Sequence, residues 1–374
     1  MSEKEVCFSS CNSYSRDAVR NAVFDVFESC GGTDSFIHKG SRVLIKPNML
    51  AAAPAEDAVT THPEVVGAVI EVVQEAGGIA FVGDSPMEGS LEYVAEKCGI
   101  LKVAQERGAS LLSLQKNTRI NLNNAHTCSF FNVSEEALGM DCIVNVPKLK
   151  NHTLTGITGA VKNCYGLIGG NHKKFYHVRY PLINDFANVL LDLYLATLPV
   201  FSVIDAVVAM EGLGPRSGKP KPVKAIFASR DAIAVDAVAA RFLGYNIQDI
   251  SFLKAAVERG LLRKDLSDIR VIGDINEIKK PLFDKGASGG GFSFIWNYAP
   301  AWVRGLRERW RPWPHITSSC TSCGKCVRHC PVEAIALNKG ADDIANIIYN
   351  KCIRCYCCQE VCSYGAINLK KSVI

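Results

Sequence analysis

Eight cysteines near the carboxyl terminus have the spacing of iron chemistry. Cys320, Cys323, Cys326 and Cys330 follow C-x₂-C-x₂-C-x₃-C and run into Pro331, and Cys352, Cys355, Cys358 and Cys362 repeat the spacing. An iron–sulfur cubane needs four thiolates. In this arrangement three come from one tight loop and the fourth from the other motif. The spacing therefore assigns Cys320, Cys323, Cys326 and Cys362 to a first [4Fe–4S] cluster. Cys352, Cys355, Cys358 and Cys330 go to a second. Zinc is satisfied by two CxxC pairs, and disulfides need an oxidising compartment, so the doubled motif predicts two clusters.

The two halves of this region are an internal repeat: CTSCGKCVRHCPVEAIAL aligns with CIRCYCCQEVCSYGAINL. Apolar ends at Ala334–Leu337 and Ala366–Leu369 read as short strands. Ser363 stands where a proline usually stiffens the exit from the loop, which removes no ligand. Cys357 is an extra thiol in a loop whose ligands are already supplied, and reads as a spectator.

Upstream, polar motifs sit just after short apolar runs. Lys46-Pro47-Asn48 follows one run, Gly83-Asp84-Ser85 another, and Pro147 to His152 a third. Loops at the carboxyl ends of parallel strands are where α/β folds place ligands. Lys162-Asn163-Cys164-Tyr165-Gly166, Lys173, Lys174 and His177 come next, then Met210 to Pro215 and Gly218. Convergent lysines and glycine-rich turns suit an anionic small molecule, held by ammonium and backbone N–H groups. Lys46, Asn48, Lys148, Lys150, Asn163, Gly212 and Gly214 are therefore the candidate binding residues. His152, His177 and Lys162 are the candidates for moving a proton. Each has a plainer reading: a lone lysine is usually a solvated charge, and a glycine pair makes a turn. Cys164 reads as a buried thiol rather than a nucleophile. Asp84 and Asp205 fit either ligand contact or capping.

Elements that would position these groups alternate along the chain. Val43–Ile45, Ala80–Val82, Ile143–Val146, Ser202–Ile204, Ala225–Phe227 and Ile269–Ile272 are short, apolar and suited to strands buried on both faces. Helical stripes lie between them, at Ala18 to Phe27, Val65 to Val73 and Ala232 to Leu243, the last closed by Gly244. Thr61-His62-Pro63-Glu64 has the form of a capping box. Phe186 to Met210 is interrupted by Asp192, Pro199 and Asp205, and reads as a helix then a strand rather than a membrane span. This predicts an α/β body with a largely parallel sheet and helices on both faces, plus an α+β ferredoxin domain. The boundaries fall at 1–285 for the body, 286–314 for a linker and 315–374 for the ferredoxin. The linker opens with a glycine-rich joint and holds all four tryptophans among arginines. Its prolines interrupt an amphipathic helix, so a strap packing the two units is favoured over contact with a membrane surface.

With 374 residues, the chain is too long for one core. Its composition, 48% hydrophobic and 21% charged, is that of a globular protein. The net charge of +5 falls toward zero once two clusters of about −2 each are added. No basic tract interleaves with aromatics, so no nucleic acid is expected. The amino terminus lacks an apolar signal core. Scattered thiols outside the motifs, Cys7 and Cys30 among them, suit a reducing cytoplasm, that of an anaerobe or facultative anaerobe.

The strings VLIKPN, TTHPEVV, VGDSP, NVPKLKNHTLTGITGAVKNCYG, VIDAVVAMEGLGPRSGKP and SRDAIAVDAVAARFLG span residues 43 to 244. With the cysteine loops, they make the chain similar to the domain-of-unknown-function 362 family in the form carrying a C-terminal ferredoxin. The resemblance points to Lys46, Asn48, Lys148, Lys150, His152, Lys162, Asn163, Gly166, His177, Asp205, Gly212, Gly214 and Pro215. It implies no reaction.

The functional expectation is an iron–sulfur oxidoreductase that passes low-potential electrons through its clusters to an anionic substrate in the body. An electron donor or acceptor protein would be its partner. No GxGxxG follows a strand, so no nicotinamide or flavin fingerprint is seen. The alternatives are a non-catalytic carrier whose body docks a redox partner, and a lysine- or histidine-based isomerase with structural or regulatory clusters.

Overall fold

The computed structural model describes residues 3–276, 278–286, 311–337 and 344–370. The expectations for the glycine-rich joint and the strap over 287–310 lie outside these residues.

The body is built on a ten-stranded sheet. Along the chain its strands are β1 (Lys4–Ser10), β2 (Arg42–Pro47), β3 (Ile79–Val82) and β4 (Ser110–Leu111). A separate hairpin follows, β5 (Asn117–Asn121) with β6 (Phe130–Ser134). Then come β7 (Cys142–Val146), β8 (Lys148–His152), β9 (Gly156–Thr158), β10 (Phe201–Glu211), β11 (Lys219–Ser229) and β12 (Ile269–Ile272). The order is β12-β1-β11-β10-β7-β2-β3-β4, with β8 on β10 and β9 on β8. β10, β7, β2, β3 and β4 run parallel, whereas β11 is antiparallel to both its neighbours.

Successive side chains of a strand point to opposite faces. In β2, Val43 and Ile45 enter one apolar cluster and Leu44 the other, and all three are fully buried. Helices Arg16–Ser29 and Pro63–Glu75 cover the first face, and Ile183–Thr197 and Ala232–Phe242 the second. Val65, Val66, Val69, Ile70 and Val73 of Pro63–Glu75 are fully buried. Each such side chain contributes about 1.5–3 kcal/mol. The stripe from Phe186 resolves into helix Ile183–Thr197 followed by β10, and among the described residues no helix is long and apolar enough to cross a membrane.

Three local expectations are corrected. His62, not Thr61, caps helix Pro63–Glu75: its Nδ1 accepts from Glu64 N at 3.2 Å. Thr61 is drawn into the sheet edge instead, accepting from Asn48 N and donating to Val146 O. The segment after Pro147 is not a loop but strand β8, because β10 extends past the end of β7 and offers it a partner. Cys7 and Cys30 are not free thiols but a disulfide. Helix Arg16–Ser29 returns alongside β1 and brings its C-cap, Cys30, to a Cα–Cα distance of 6.0 Å from Cys7.

The ferredoxin unit pairs β13 (Trp313–Ile316) with β16 (Ile367–Lys370) and β14 (Ile335–Leu337) with β15 (Ala345–Ile347), all antiparallel. Short helices Lys325–His329 and Cys357–Val361 pack on each other, and His329 and Glu360 reach the body at Met87 O and His152.

Candidate functional site: a lysine-rich cleft closed by the ferredoxin unit

Two chambers lie inside the ferredoxin unit. Cys320, Cys323, Cys326 and Cys362 line one of about 360 Å³, open mouth included. Cys330, Cys352, Cys355 and Cys358 line another of about 330 Å³, measured the same way. The cysteines thus gather in the crossed sets that the spacing assigns. Both chambers are walled by apolar groups such as Ile316, Ile335 and Ile347, so an anionic cluster there must be stabilised by N–H groups. Those are present: Ser322 N points at Cys320 Sγ (3.5 Å), Ala334 N at Cys330 Sγ (3.1 Å) and Ala366 N at Cys362 Sγ (3.3 Å). Four thiolates with N–H···S support and an apolar wall fit a cubane in each chamber.

A cleft of about 670 Å³, open mouth included, lies where the body meets the ferredoxin. The end of β2 supplies Lys46 and Asn48, β8 supplies Lys150, and the turn after β9 supplies Lys162 and Asn163. Lys173, Lys174 and His177 come from helix His172–Arg179. The far wall is Cys357 and Glu360 of the ferredoxin helix Cys357–Val361.

The polar side chains form a connected lattice. Lys150 Nζ donates to Asn48 Oδ1 (2.7 Å) and Val59 O (2.7 Å). Asn48 Nδ2 donates to Asn163 Oδ1 (3.1 Å), and Asn163 Nδ2 to Asn145 Oδ1 (2.8 Å). Lys46 pairs with Asp84 at 2.9 Å, both buried. Gly166 makes room for that pair: a Cβ there would stand 2.2 Å from Asp84 Oδ1 and 2.6 Å from Lys46 Nζ. Asp236, buried, caps the turn that carries Lys162 and Asn163, accepting from Ala160 N (2.6 Å) and Val161 N (2.9 Å).

Burial disfavours charge, and the lysines show it. Burial pushes the Lys173 ammonium down to about 8, with Lys46 and Lys162 adding to the effect against the pull of Asp84. Lys150 is driven well below its usual range by burial and then by Lys162. Burial also lowers His177 to about 4, where its ring stacks on Phe186 at 4.4 Å. Lys162 is half-buried and, among the described residues, forms no ion pair within 4 Å.

The structure does not bring every candidate into the cleft. Lys148 faces the same side of β8 as Lys150 but is sealed behind it. Its ammonium is held by Asp205 Oδ2 (2.9 Å) and Tyr14 OH (2.7 Å), and Tyr14 in turn donates to Asp205 Oδ1. Asp205 also accepts from His62 N. Lys148 is therefore a buried ion-pair residue rather than a cleft residue. Gly212 and Gly214 lie outside the lining too. Their carbonyls accept from Asn151 and Thr153, tying the β10–β11 turn to β8, while Pro215, after a cis bond, reaches the cleft. Cys164 is fully buried against Ala160 O, and burial pushes its thiol up to about 12.

His152, a candidate for moving a proton, is not in the cleft lining either: it is buried behind the wall, in contact with the lining residue Glu360. Its Nδ1 accepts from Leu154 N (3.1 Å) and Thr155 N (3.4 Å), so its ring proton sits on Nε2. That atom lies 3.1 Å from Glu360 Oε1, with the N–H bent away from the line between them. Burial and Lys162 lower His152 to about 4. For Glu360, burial pushes upward, but Lys162 and the His152 contact outweigh it and hold the carboxyl below its usual range. The pair is thus a carboxylate beside a neutral imidazole. Glu360 is the site residue that sequence reasoning missed; it looked like one more polar residue between two ligands.

Residues 319–366 match the 4Fe-4S dicluster domain, and the chain carries two [4Fe–4S] clusters. Fold and site together define an iron–sulfur protein in which a two-cluster ferredoxin closes a cleft in an α/β body. Within that class the chain belongs to the family described as Domain of unknown function (DUF362), which matches residues 43–241. It is 33% identical over 259 residues to thylakoid-associated protein sll1697 of Synechocystis, covering 69% of this chain and 80% of that protein. Among solved structures it is similar to the lactate racemase apoprotein of Thermoanaerobacterium thermosaccharolyticum, with a TM-score of 0.44 and 13% identity over 65% of this chain. A protein from Thermotoga maritima gives 0.34 and 13% over 60%. The chain spans 57% of the length of each of these two structures.

Proposed function

We propose that this protein is an iron–sulfur oxidoreductase whose clusters exchange electrons with an anionic small substrate held in the cleft. One observation carries the reading: the lysine-bearing wall of the body faces Cys357 and Glu360, which flank the second-cluster ligand Cys358. A molecule bound to those lysines would lie against the second-cluster loop. When bound, each cubane supplies single electrons at a potential tuned by its surroundings.

The side chains have distinct tasks in this reading. Lys162, without an ion-pair partner among the described residues, is the first anchor for an anion. Lys150 and Lys173 are depressed by burial, and an arriving negative charge would restore their protonation. Lys173, at about 8, is the group best matched to give a proton near neutral pH. His177, neutral and wedged against Phe186, shapes the floor and can take a proton back. His152 is held by Glu360 and positions the ferredoxin wall. We place the protein in a reducing cytoplasm, which the two clusters and the free thiols outside the motifs favour, although the Cys7–Cys30 disulfide weighs against it.

The test is anaerobic. The holoprotein is reduced with titanium(III) citrate and mixed with a panel of small carboxylates and phosphate esters, and the return of cluster absorbance is followed. The reading expects at least one anion to speed reoxidation, and Lys162→Ala to remove that effect with iron content unchanged. No acceleration by any of them, together with no anion binding, would replace it with a carrier lacking a substrate.

A further inference from the structure

The two cluster chambers differ in how they meet solvent. Of the eight cluster cysteines, Cys323 is the one that is exposed, and it belongs to the first chamber. The second chamber is the more enclosed: Cys358 is buried, Cys330, Cys352 and Cys355 are half-buried, and the loop around Cys358 forms the cleft wall with Cys357 and Glu360. Its flank is covered by Tyr356, whose hydroxyl donates to Pro312 O, and by Arg311, which also reaches Pro181 O of the body. Electron transfer between proteins falls steeply with separation, so a partner must approach the first chamber.

Around Cys323 the surface is cationic with an aromatic centre. Arg328 is exposed and reaches Cys323 O, and Lys174 from the body donates to Arg328 O at 3.0 Å. Lys325 is partly exposed and pairs with Glu88 at 3.0 Å. Tyr364, lining the same chamber, is 55% exposed. Ser363, the position that departs from proline, accepts from both Lys325 Nζ (3.0 Å) and Arg216 Nη2 (2.9 Å). A proline there would offer no hydroxyl to hold these cations beside Cys362. Glu88 is the carboxylate in this group, shared by Lys325 and Arg216.

We infer that the face around Cys323, Tyr364, Lys325 and Arg328 docks an electron-carrier protein with an acidic rim, and that electrons enter at the first cluster. This rests on the reading of the clusters as a path to the cleft. Brief electron-transfer encounters bury little area and depend on charge complementarity for their rate and orientation. A rim of Lys and Arg around an exposed cluster edge selects a carrier of the opposite charge and repels a basic one.

The test uses the full-length holoprotein with an acidic flavodoxin as probe and a basic cytochrome c as control, binding being read by calorimetry. Flavodoxin should bind at low salt and at least tenfold more weakly at several hundred millimolar salt. It should also bind at least tenfold more weakly to Arg328→Glu, and cytochrome c should not bind. Iron content and reduction by titanium(III) citrate should match wild type in that variant, and Tyr364→Ala provides an uncharged second probe of the same face. Absence of flavodoxin binding at low salt, equal binding to Arg328→Glu, or preference for cytochrome c would overturn the inference. Docking without any substrate turnover would leave it standing and remove the oxidoreductase reading. Turnover with titanium(III) citrate but no docking would do the reverse.

Discussion

Glu360 Oε1, on a ferredoxin helix, lies 3.1 Å from His152 Nε2, on body strand β8. Both side chains are buried, so the contact joins two units far apart in the chain. It also places a carboxylate beside the lysines of the cleft. Contacts of a buried carboxylate with a neutral N–H and a nearby cation are typically worth about 1.5–3 kcal/mol. Glu360→Gln removes a charge that also faces Lys162, so a loss at the low end of that range is expected. Anaerobic thermal unfolding should show a lower midpoint with iron content unchanged. If the double variant Glu360→Gln with His152→Gln loses the sum of the two single effects, the residues are not coupled.

The crossed ligand sets can be tested by substitution. Cys330→Ser should damage the cluster held by Cys352, Cys355 and Cys358, and Cys362→Ser the cluster of Cys320, Cys323 and Cys326. Wild-type protein should carry about eight irons and eight acid-labile sulfides per chain. Low-temperature magnetic resonance of the reduced variants distinguishes the two signals. Damage confined to the uncrossed set would contradict the assignment.

Lys148 and Lys162 should separate fold from binding. Lys148→Ala leaves Asp205 buried without its ammonium, and a loss of about 3–5 kcal/mol in urea stability is expected. Lys162→Ala breaks no ion pair within 4 Å among the described residues but removes the cation that holds Glu360 charged, so it should lose less stability than Lys148→Ala does, yet lose anion binding. Calorimetric titration with inorganic phosphate provides the readout. Normal stability of Lys148→Ala would remove the structural role given to that lysine.

Anion affinity should depend on pH in a definite direction. Burial pushes Lys173 down from 10.5 to about 8. A bound anion raises it again, so binding takes up a proton wherever the free protein has lost one. Affinity for phosphate should fall as pH rises above about 8, and Lys150, also depressed by burial, acts in the same direction. A flat profile through this range would mean that neither lysine meets the anion.

Asp236 should influence stability with the sign of a buried acid. Burial raises it from 3.8 to about 7, although Val161 N and Ala160 N pull the other way. Its native form holds the proton more tightly than the unfolded chain does. The resulting stabilisation is complete below about pH 4 and lost as pH rises through about 7. Asp236→Asn should flatten that part of the urea midpoint profile. Parallel curves for wild type and variant would show that the carboxyl is ionised throughout by its two N–H bonds.

Much was legible in local pattern. Ligand spacing is a local property, so both cysteine sets could be assigned from sequence, and the apolar runs marked β2, β3, β7, β12, the start of β10 and the later half of β11. Lys46, Lys150, Lys162, Asn163 and His177 could be grouped from sequence because they fall in polar motifs that follow apolar runs, and the structure brings all five to one cleft. The segment from Lys148 to His152 could not be recognised as a strand, since its pairing depends on β10 extending past β7. The separation of Lys148 from Lys150 is a matter of partners: one ammonium meets Asp205, the other Asn48. Likewise Cys7 meets Cys30 only because a helix returns beside β1. By itself the sequence determined the chemistry of the ferredoxin unit and the alternating plan of the body, because short-range spacing and period encode both. Tertiary structure decided that a ferredoxin carboxylate, Glu360, closes the lysine cleft and that Cys323 of the first set is exposed while Cys358 of the second is buried, because docking is set by the surfaces that folded units present, and no local pattern records which surfaces will meet.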